Sequence, residues 1–397
     1  MSGVEDVRGG LVARLLVVGG GIAGTGAALA LHKAGLDVTV YEAHPDSAED
    51  IGAFLTLASN GMRALAEVDA SAAVTAIGFP LTSMRVLDDT GAEAAHVPLG
   101  EAGTAHLRYR CVRRGDLNAA LQAEVDRRGI QIRHGTRLVS VDDRPDGITA
   151  HFADGTAATG DLLIGADGLN STVRGLVAPD SRPAHAGQQV FYGYTREVPP
   201  AGRPETITMV RGSSVAFGYT VSPEGETYWF ARVAAEPLAA ADIEQGTPAH
   251  WRDLLLPLLR KDATPAADLV EATADDLMVT NATELPTATP WRTGRTLLIG
   301  DAAHAASPAT GQGASMALED AVVLAKSLRD TPDTDTALSL YESVRRPRVE
   351  HNITVSGDIS RGTHHPSGPR GGGANRPGDD EIVRQLDWGT DLRGAES

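Results

Sequence analysis

The chain has 397 residues, 42% of them hydrophobic, and its 35 basic against 52 acidic side chains give a formal net charge of −17. Because so negative a chain repels nucleic-acid phosphates and anionic lipid surfaces, and no basic patch in the sequence offsets that repulsion, nucleic-acid-binding and membrane-surface proteins are excluded. The single cysteine, Cys111, excludes an intramolecular disulfide and a multi-cysteine metal site.

No apolar run reaches the roughly 18–20 residues of a membrane span, and no apolar leader precedes the first predicted strand. We therefore expect a soluble, cytoplasmic protein. Its length allows two or three domains.

The first predicted unit is a strand, a glycine-rich turn, a helix and a second strand. An apolar run from Arg14 to Val18 suits a buried parallel strand. The stretch from Thr25 to Ala34 is rich in Ala and Leu and stops at Gly35, so a helix is predicted there. A second apolar run from Val38 to Tyr41 leads directly into Glu42. This order of elements is typical of a dinucleotide-binding unit.

The turn itself, GGGIAG, carries the three glycines of a GxGxxG pattern. Gly19 permits a tight turn, Gly21 lets the backbone approach a pyrophosphate, and Gly24 lets the helix lie close to the strand. The acid Glu42 follows at about the spacing expected of a residue that binds ribose hydroxyls. The alternative is that the glycines serve a tight turn only.

Two later apolar strands also end in glycine and acid. Leu162 to Ile164 breaks into a Gly-Ala-Asp-Gly turn that contains Asp167 and Gly168, and Leu297 to Ile299 leads into Gly300 and Asp301. Ligands of an open parallel sheet bind outside the carboxyl ends of its strands, so these turns are expected at one edge of the sheet.

Strands with period-two or mixed patterning lie before and between these motifs. They are predicted as a hairpin at Ser83 to Val97 and as single strands at Gln189 to Arg196, Thr206 to Arg211, Ser214 to Val221 and Thr227 to Val233. Eight of the chain's 17 Trp, Tyr and Phe residues fall in them, so the substrate pocket is placed here. The candidate contacts are Tyr192, Tyr194, Arg211, Phe217, Tyr219 and Trp229. The alternative is that these aromatics only pack on pleated faces.

The loop after the third strand favours an anionic ligand. Pro308, Gly311 and Gly313 precede a helix predicted at about Ser315 to Leu328. Exposed backbone amides and the positive end of that helix favour a ligand that gains negative charge during reaction, as a reduced flavin ring does. The alternative is a simple strand-to-helix turn in which Asp301 only caps a helix.

Three elements are predicted outside these motifs. Trp251 to Leu259 is an amphipathic helix, and Tyr341 to Val349 ends a helical stretch whose basic cluster is broken by Pro347. That cluster is either a solvated helix end or an anion site. The tail from Arg361 is rich in Gly, Pro and charge and is predicted to be flexible, with a short ordered piece at Glu381 to Trp388.

Together these motifs resemble the class A flavoprotein monooxygenases, the family that includes para-hydroxybenzoate hydroxylase and the tetracycline-inactivating monooxygenases. The match runs through GGGIAG, RRGDL at Arg113 to Leu117, GADGLNSTVR and GDAAHAASPATGQG, within residues 14 to about 330. It implies an α/β fold with a Rossmann-like FAD-binding domain of the GR2 type, an inserted antiparallel-sheet substrate domain that covers the substrate, and C-terminal helices. The implied boundaries are 1–76, 100–181 and 276–362 for the FAD-binding domain, 77–99 and 182–275 for the substrate domain, and 363–397 for the tail.

The resemblance also implies functions for individual residues. Arg114 would pair with the FAD phosphates or ribityl chain, Asp167 and Gly168 would serve FAD and transient NAD(P)H binding, and Asp301 would bind the ribityl hydroxyls. The residues implied to hold FAD or line its ring are Gly19, Gly21, Ile22, Ala23, Gly24, Glu42, Arg114, Asp167, Gly168, Arg174, Gly300, Asp301, Pro308, Gly311, Gln312 and Gly313. His304 would be structural and not a base.

One position departs from the family pattern. Within Ile51 to Thr56, Phe54 stands where the family often has a glycine beside the flavin edge. Its bulk would narrow the pocket or change how the flavin moves, and Phe54 is included among the candidate substrate contacts.

The implied activity is that of an FAD-dependent, NAD(P)H-consuming monooxygenase that uses dioxygen to hydroxylate an aromatic or polycyclic small molecule, antibiotic-like or another natural product, through a flavin C4a-hydroperoxide. A Baeyer–Villiger or epoxidising monooxygenase, a flavin reductase or oxidase, and an FAD-binding partner protein without turnover are the alternatives. A flavin halogenase is disfavoured because the sequence has no WxWxIP segment. No catalytic base, metal site or preference for NADPH over NADH is assigned, and the oligomeric state is left open.

Overall fold

The computed structural model describes residues 14–47, 52–100, 104–197, 202–363 and 379–393. The strands are, in chain order, β1 Arg14–Val18, β2 Asp37–Tyr41, β3 Phe54–Leu57, β4 Phe79–Leu81, β5 Ser83–Leu87, β6 Glu93–Pro98, β7 Tyr109–Arg113, β8 Gln131–Arg133, β9 Leu138–Arg144, β10 Gly147–Phe152, β11 Ala157–Gly160, β12 Leu162–Gly165, β13 Ala184–Thr195, β14 Thr206–Arg211, β15 Val215–Val221, β16 Thr227–Ala234, β17 Leu277–Glu284, β18 Arg292–Thr293 and β19 Thr296–Leu298.

The α-helices are α1 Ile22–Lys33, α2 Ser59–Glu67, α3 Ser71–Thr75, α4 Arg114–Arg127, α5 Thr172–Val177, α6 Ala240–Gln245, α7 Pro248–Leu259, α8 Ala266–Glu271, α9 Asp301–His304, α10 Gly313–Asp330, α11 Thr334–Ser360 and α12 Asp379–Leu386. Short 3-10 turns occupy Ala105–Leu107 and Pro308–Thr310. None of the helices in the described ranges is both long and apolar enough to span a bilayer.

A six-stranded, mostly parallel sheet carries the three glycine-rich turns. Its strand order is β18-β19-β12-β1-β2-β8, with β1 parallel to both β2 and β12, and β12 parallel to β19. Strands β1, β12 and β19 are almost wholly buried, which explains their continuous apolar sequences. The three predicted strand ends therefore lie side by side at one edge, and the predicted α/β class is confirmed.

A seven-stranded sheet forms the second layer of the molecule. Its order is β17-β13-β16-β15-β14-β5-β6, antiparallel except where β14 runs parallel to β5. The predicted hairpin is present as β5 and β6. Strand β17 pairs along β13, although the predicted boundary at residue 275 assigns it to the other domain. Pairing with a distant strand, which the local pattern does not encode, decides its sheet. Two three-stranded sheets, β11-β10-β9 and β3-β7-β4, complete the fold.

One face of the seven-stranded sheet forms a closed core with α7 and α8. Phe217 and Trp229 stack with ring centroids 5.5 Å apart, and Trp229 Nε1 donates a hydrogen bond to Thr273 Oγ1 at 2.8 Å. Tyr219 and Trp251 are buried in the same cluster. The prediction that Phe217, Tyr219 and Trp229 contact substrate is therefore wrong. Side chains alternate between the two faces of a strand, and these three point to the helix-covered one.

The C-terminal region differs from its sequence pattern at two points. Helix α11 runs through Pro347 without ending, so the predicted break is wrong. Ion pairs hold the helix on the N-terminal side of the proline, through Arg345 to Glu319 and Arg346 to Glu342. Helix α12 matches most of the predicted ordered piece of the tail, while residues 364–378 and 394–397 lie outside the described residues.

The position of Trp229 generates a stability prediction. We expect Trp229→Ala to lower the free energy of unfolding by about 3–5 kcal/mol, because it empties the centre of the helix-covered core. Chemical denaturation of the purified protein measures this. Phe230→Ala, one residue along on the half-exposed face, is the control and should cost clearly less. An equal loss of unfolding free energy in the two variants would contradict the assignment of Trp229 to the helix-covered face and Phe230 to the opposite face.

Candidate active site

The first glycine turn leaves open space in front of the N-terminus of α1. Gly19 has φ +108°, and a Cβ on it would lie 2.4 Å from the Ala166 carbonyl oxygen. A Cβ on Gly24 would lie 1.8 Å from the Gly19 carbonyl oxygen, so both positions require glycine. A Cβ on Gly21 would meet no atom within 4 Å. The free N–H groups of the first turn of α1 therefore face a space that can take a phosphate.

Glu42 lies beside this turn, at the end of β2. Its Oε2 accepts a hydrogen bond from the Gly20 N–H at 2.5 Å, and its Oε1 accepts one from the His44 N–H at 2.6 Å. From α4, Gln122 Nε2 donates to the Gly20 carbonyl oxygen at 2.8 Å. The structure thus brings the acid and the glycine turn together, and the contact with ribose hydroxyls stays a prediction.

The second motif is largely committed to contacts within the protein. The Asp167 carboxylate accepts hydrogen bonds from Ser171 Oγ at 2.5 Å and from the Thr172 N–H at 2.7 Å, so it caps α5. Arg174 is 4% exposed, and its guanidinium donates to the carbonyl oxygens of Leu169 and Ala302. Arg174 therefore links the second motif to the third, and its burial opposes the predicted direct contact with the cofactor.

The third motif presents a carboxylate and a long helix to one space. Gly300 has φ +58°, and a Cβ on it would lie 2.8 Å from Ala23 Cβ, so the third turn packs directly on α1. Asp301 is half-buried, and no hydrogen bond from the described residues reaches its carboxylate. Its Oδ1 is 3.9 Å from the position of a Cβ on Gly313, where the 18-residue helix α10 begins. The carboxylate is thus free to bind ligand hydroxyls beside a positive helix end.

The loop between α9 and α10 contains a 3-10 turn and a glycine with positive φ. Pro308 begins a 3-10 turn and Gly311 has φ +64°. Asn60 Nδ2 donates to Gln312 Oε1 at 3.2 Å, so the Gln312 side chain is directed to α2 and its backbone is left to line the ligand space.

A network of buried charged side chains links the Gly300 turn to helices α10 and α11. Asp320 Oδ2 accepts from the Gly300 N–H at 2.9 Å and lies 2.5 Å from His304 Nε2, while Asp320 Oδ1 accepts from Arg345 Nε at 2.8 Å. Arg345 also donates to Glu319 Oε2 at 2.6 Å. The structural function expected of His304 is confirmed. The expectation of a solvated end for the Arg345 cluster is wrong, because Arg345 is 1% exposed.

Burial by itself would raise the pKa of the Asp320 carboxyl group. Interaction with His304 and Arg345 outweighs burial and lowers that pKa to about 2. Asp320 is missing from the sequence predictions. The two consecutive acids Glu319 and Asp320, between the apolar stretches 316–318 and 321–325, were the available signal.

Five aromatic side chains form what we call the aromatic chamber: Phe54, Tyr192, Tyr194, Tyr228 and Phe230. The Phe54 ring centroid lies 6.1 Å from Tyr192, 6.1 Å from Tyr194, 5.6 Å from Tyr228 and 6.3 Å from Phe230. The chamber occupies the face of the seven-stranded sheet opposite the helix-covered core. Tyr228 and Phe230 were missed as contacts, although they pair with Tyr194 and Tyr192 across the strands.

Strand β3 connects the chamber to the third motif. Phe54 begins this strand, and Thr56 Oγ1 lies 3.2 Å from the position of a Cβ on Gly311. Among the remaining predicted residues, Arg114 begins α4 with an exposed side chain, and Arg211 is exposed at the end of β14. The glycine turns, the Asp301 carboxylate and the aromatic chamber are thus connected through α1, α10 and β3.

A family model described as an FAD binding domain matches residues 13–356 of the chain. The chain belongs to this FAD-binding family. It is 32% identical over 344 residues to the aurachin C monooxygenase/isomerase of Stigmatella aurantiaca, covering 86% of this chain and 87% of the relative. It is 33% identical over 380 residues to a 3-amino-4-hydroxybenzoate 2-monooxygenase of Streptomyces platensis, covering 90% of each.

Solved structures agree with this family. The crystal structure of Klebsiella pneumoniae HpxO complexed with FAD and uric acid has a TM-score of 0.79 and 26% identity, and the match covers 97% of this chain and 95% of that chain. The resemblance to class A flavoprotein monooxygenases is confirmed, and the protein is an FAD-dependent monooxygenase. The open space before Gly21 and the Asp301 carboxylate, to which no described residue donates a hydrogen bond, fit that cofactor.

The buried network generates a second stability prediction. Arg345→Met leaves the Glu319 and Asp320 carboxylates buried with less positive charge, and we expect a loss of about 3–5 kcal/mol. Its neighbour Arg346 makes partly exposed pairs with Glu342 and Glu350 on the same helix, so Arg346→Met should cost about 1 kcal/mol or less. Thermal and chemical unfolding compare the two variants. A similar cost for both would refute the assignment.

The cost of Arg345→Met should also depend on pH. The folded-state pKa of Asp320, about 2, lies below its ordinary value of 3.8, so this carboxylate stabilises the fold above about pH 4 and loses that effect as the pH falls towards 2. Removing Arg345 raises this pKa, so the deficit of the variant relative to wild type should narrow below about pH 4. A deficit that is constant down to about pH 3 would contradict this.

Proposed function

We propose that this monooxygenase consumes NAD(P)H and dioxygen and hydroxylates a small aromatic or polycyclic substrate in the aromatic chamber. The observation that carries the proposal is the position of β3, which contacts the Gly311 turn on one side and the seven-stranded sheet on the other. A substrate in the chamber would therefore lie next to the loop from Gly311 to Gly313, where we place the flavin ring. When bound, FAD supplies hydride acceptance and dioxygen activation.

The residues of the chain bind and orient the cofactor. The N-terminus of α1 and the turn from Gly19 to Gly24 would hold the pyrophosphate, and Glu42 would hold the adenosine ribose. Asp301 would accept hydrogen bonds from the ribityl hydroxyls. The backbone amides from Gly311 to Gly313 and the positive end of α10 would favour negative charge on the flavin ring. Arg114, exposed at the start of α4, would pair with a phosphate or the ribityl chain.

The chamber excludes water from the reacting atoms. Phe54 is 6% exposed and packs against the other rings of the chamber, so a substrate ring that binds against them would be shielded from water on that side. Relatives support an aromatic substrate, since their names specify 3-amino-4-hydroxybenzoate and urate. The sequence has one complete GxGxxG unit, which we assign to FAD, and this fits a reductant that binds transiently and not in a domain of its own.

The assignment of Asp301 is testable through cofactor retention. After desalting, Asp301→Ala should keep less than about a tenth of the wild-type FAD, because the ribityl chain loses its acceptor; Asp301→Asn should fall between the two. Visible flavin absorption per protein gives the measurement. Asp333→Ala, at the exposed N-cap of α11, should retain normal flavin content. Normal flavin in Asp301→Ala would count against the assignment.

Labelled dioxygen tests the reaction class. Wild-type protein loaded with FAD is given NADPH or NADH and a panel of phenols, aminophenols and hydroxyquinolones, and the products are analysed by mass spectrometry. We expect one labelled oxygen atom in a product and faster reductant consumption with that compound. Turnover in which all of the label leaves as hydrogen peroxide or water would replace the proposal with a flavin oxidase or reductase.

A further inference from the structure

Phe54 fills the centre of the aromatic chamber. The other four rings belong to β13 and β16 of the seven-stranded sheet, while Phe54 reaches them from β3. Its ring centroid lies 5.6–6.3 Å from each of the four, which is the separation of rings in direct contact. No second ring fits between partners at that spacing. The Phe54 side chain therefore occupies the space in which the chamber would hold a substrate ring.

Two buried polar groups beside this ring have no hydrogen-bond partner in the described part of the chain. Tyr194 is 5% exposed, and its hydroxyl lies near the Phe54 backbone without a hydrogen bond of normal geometry. Arg232 is 8% exposed, its Nε and Nη1 atoms are also unpaired, and its Cζ lies 5.6 Å from the Phe230 ring centroid. Buried polar groups of a protein core are nearly always paired, and an unpaired one costs free energy. A phenyl ring offers them no polar atom, so Phe54 fits the chamber in shape and not in polarity.

The Phe54 ring can leave without disturbing the strands that carry the other four rings. Phe54 is the first residue of β3, which lies at the edge of the sheet β3-β7-β4 and pairs with β7. Gly52, two residues earlier, has φ +98°, a conformation that glycine adopts readily and other residues rarely do. Rotation of the side chain, or a shift of this strand end, would withdraw the ring while β13 and β16 stay paired with each other.

We propose that Phe54 is a plug, a side chain that occupies the substrate position, and that a substrate binds by replacing its ring with an aromatic ring that carries a hydrogen-bonding substituent. This inference rests on the proposed function, which places the substrate in the chamber. Exchange of one aromatic ring for another keeps the ring contacts of the chamber, and the substituent supplies a partner for groups that Phe54 leaves unpaired. Phe54 thereby determines specificity, because an unsubstituted hydrocarbon gains nothing over the Phe54 ring itself.

Fluorine NMR of the otherwise wild-type protein tests the displacement. 4-Fluorophenylalanine is placed at position 54 and, in a matched sample, at position 79, since Phe79 is 5% exposed and packs on Tyr228 with ring centroids 5.5 Å apart. Phenol, 4-aminophenol and 4-hydroxyquinoline are added at millimolar concentration to the FAD-loaded protein. At least one should move the position-54 signal towards that of a solvent-exposed residue and leave the position-79 signal in place. Binding by none of them, an unchanged position-54 signal, or equal changes at both positions would overturn the proposal.

Removal of the plug gives the second test. Phe54→Ala and its control Phe79→Ala each empty the space of one phenyl ring, and phenol and toluene, which have nearly the same shape, are titrated into both FAD-loaded variants by calorimetry. Phe54→Ala should bind phenol at least tenfold more tightly than wild type does, and at least tenfold more tightly than it binds toluene, because unpaired polar groups line the vacated space.

Phe79→Ala should show no preference for phenol. A preference for toluene in Phe54→Ala, or the same preference in both variants, would make Phe54 an ordinary core residue and overturn the proposal. The fluorine experiment uses neither variant, so it decides the question if truncation at position 54 prevents folding.

The outcomes separate this inference from the proposed function. Ligand-induced displacement of Phe54 without incorporation of labelled oxygen into any compound would keep the plug and remove the proposed reaction. Labelled oxygen in the product of a compound that binds without moving Phe54 would keep the proposed reaction and remove the plug.

Discussion

The buried carboxylate of Asp320 holds the cofactor region together. It accepts a hydrogen bond from the Gly300 backbone at the third glycine turn and pairs with His304 and Arg345 in an environment closed to water. Such a group is stable only while its partners are in place, because an unpaired charge in the interior is heavily penalised. The turn that carries Asp301 therefore takes its position from a side chain at the middle of α10.

Close packing connects this turn to the other two glycine motifs. Gly300 packs against Ala23 of α1, Gly19 lies against the backbone of the second motif, and Arg174 joins the second motif to the third. A displacement at any one of them would be transmitted to the others. The rigidity is consistent with catalysis by a preorganised backbone, in which amides and helix ends are already oriented before the flavin becomes charged.

The buried arginines divide into two kinds. Arg110, Arg174 and Arg345 donate to carbonyl oxygens or carboxylates inside the fold, and they connect elements that are distant in the chain. Arg232 is equally buried but has no such acceptor in the described ranges. This contrast distinguishes arginines that connect elements of the fold from one for which the described part of the chain supplies no acceptor.

Local sequence patterns were sufficient to predict the strands, turns and helices that carry the three glycine-rich motifs. A short segment is enough to show glycines at fixed spacings, a buried apolar strand or a helix-forming stretch. The strands and turns around Gly19, Asp167 and Asp301 therefore lie close to their predicted positions. The resemblance to a known family added the order of the domains and the identity of the cofactor. The hairpin at β5 and β6 and the helix α7 followed from alternation and amphipathicity alone.

Which face of the second sheet is covered by helices was decided by tertiary structure. Period-two alternation shows that Trp229 and Phe230 point in opposite directions, but which of the two directions is covered by α7 and α8 depends on packing between distant segments. For the same reason the sequence analysis assigned β17 to the other domain, ended a helix near Pro347 and interpreted the Arg345 cluster as a helix end or an anion site. It also left Asp320 and Arg232 unrecognised. A side chain's partner, or its lack of one, is a property of residues far apart in the chain, and only the folded protein brings them into contact.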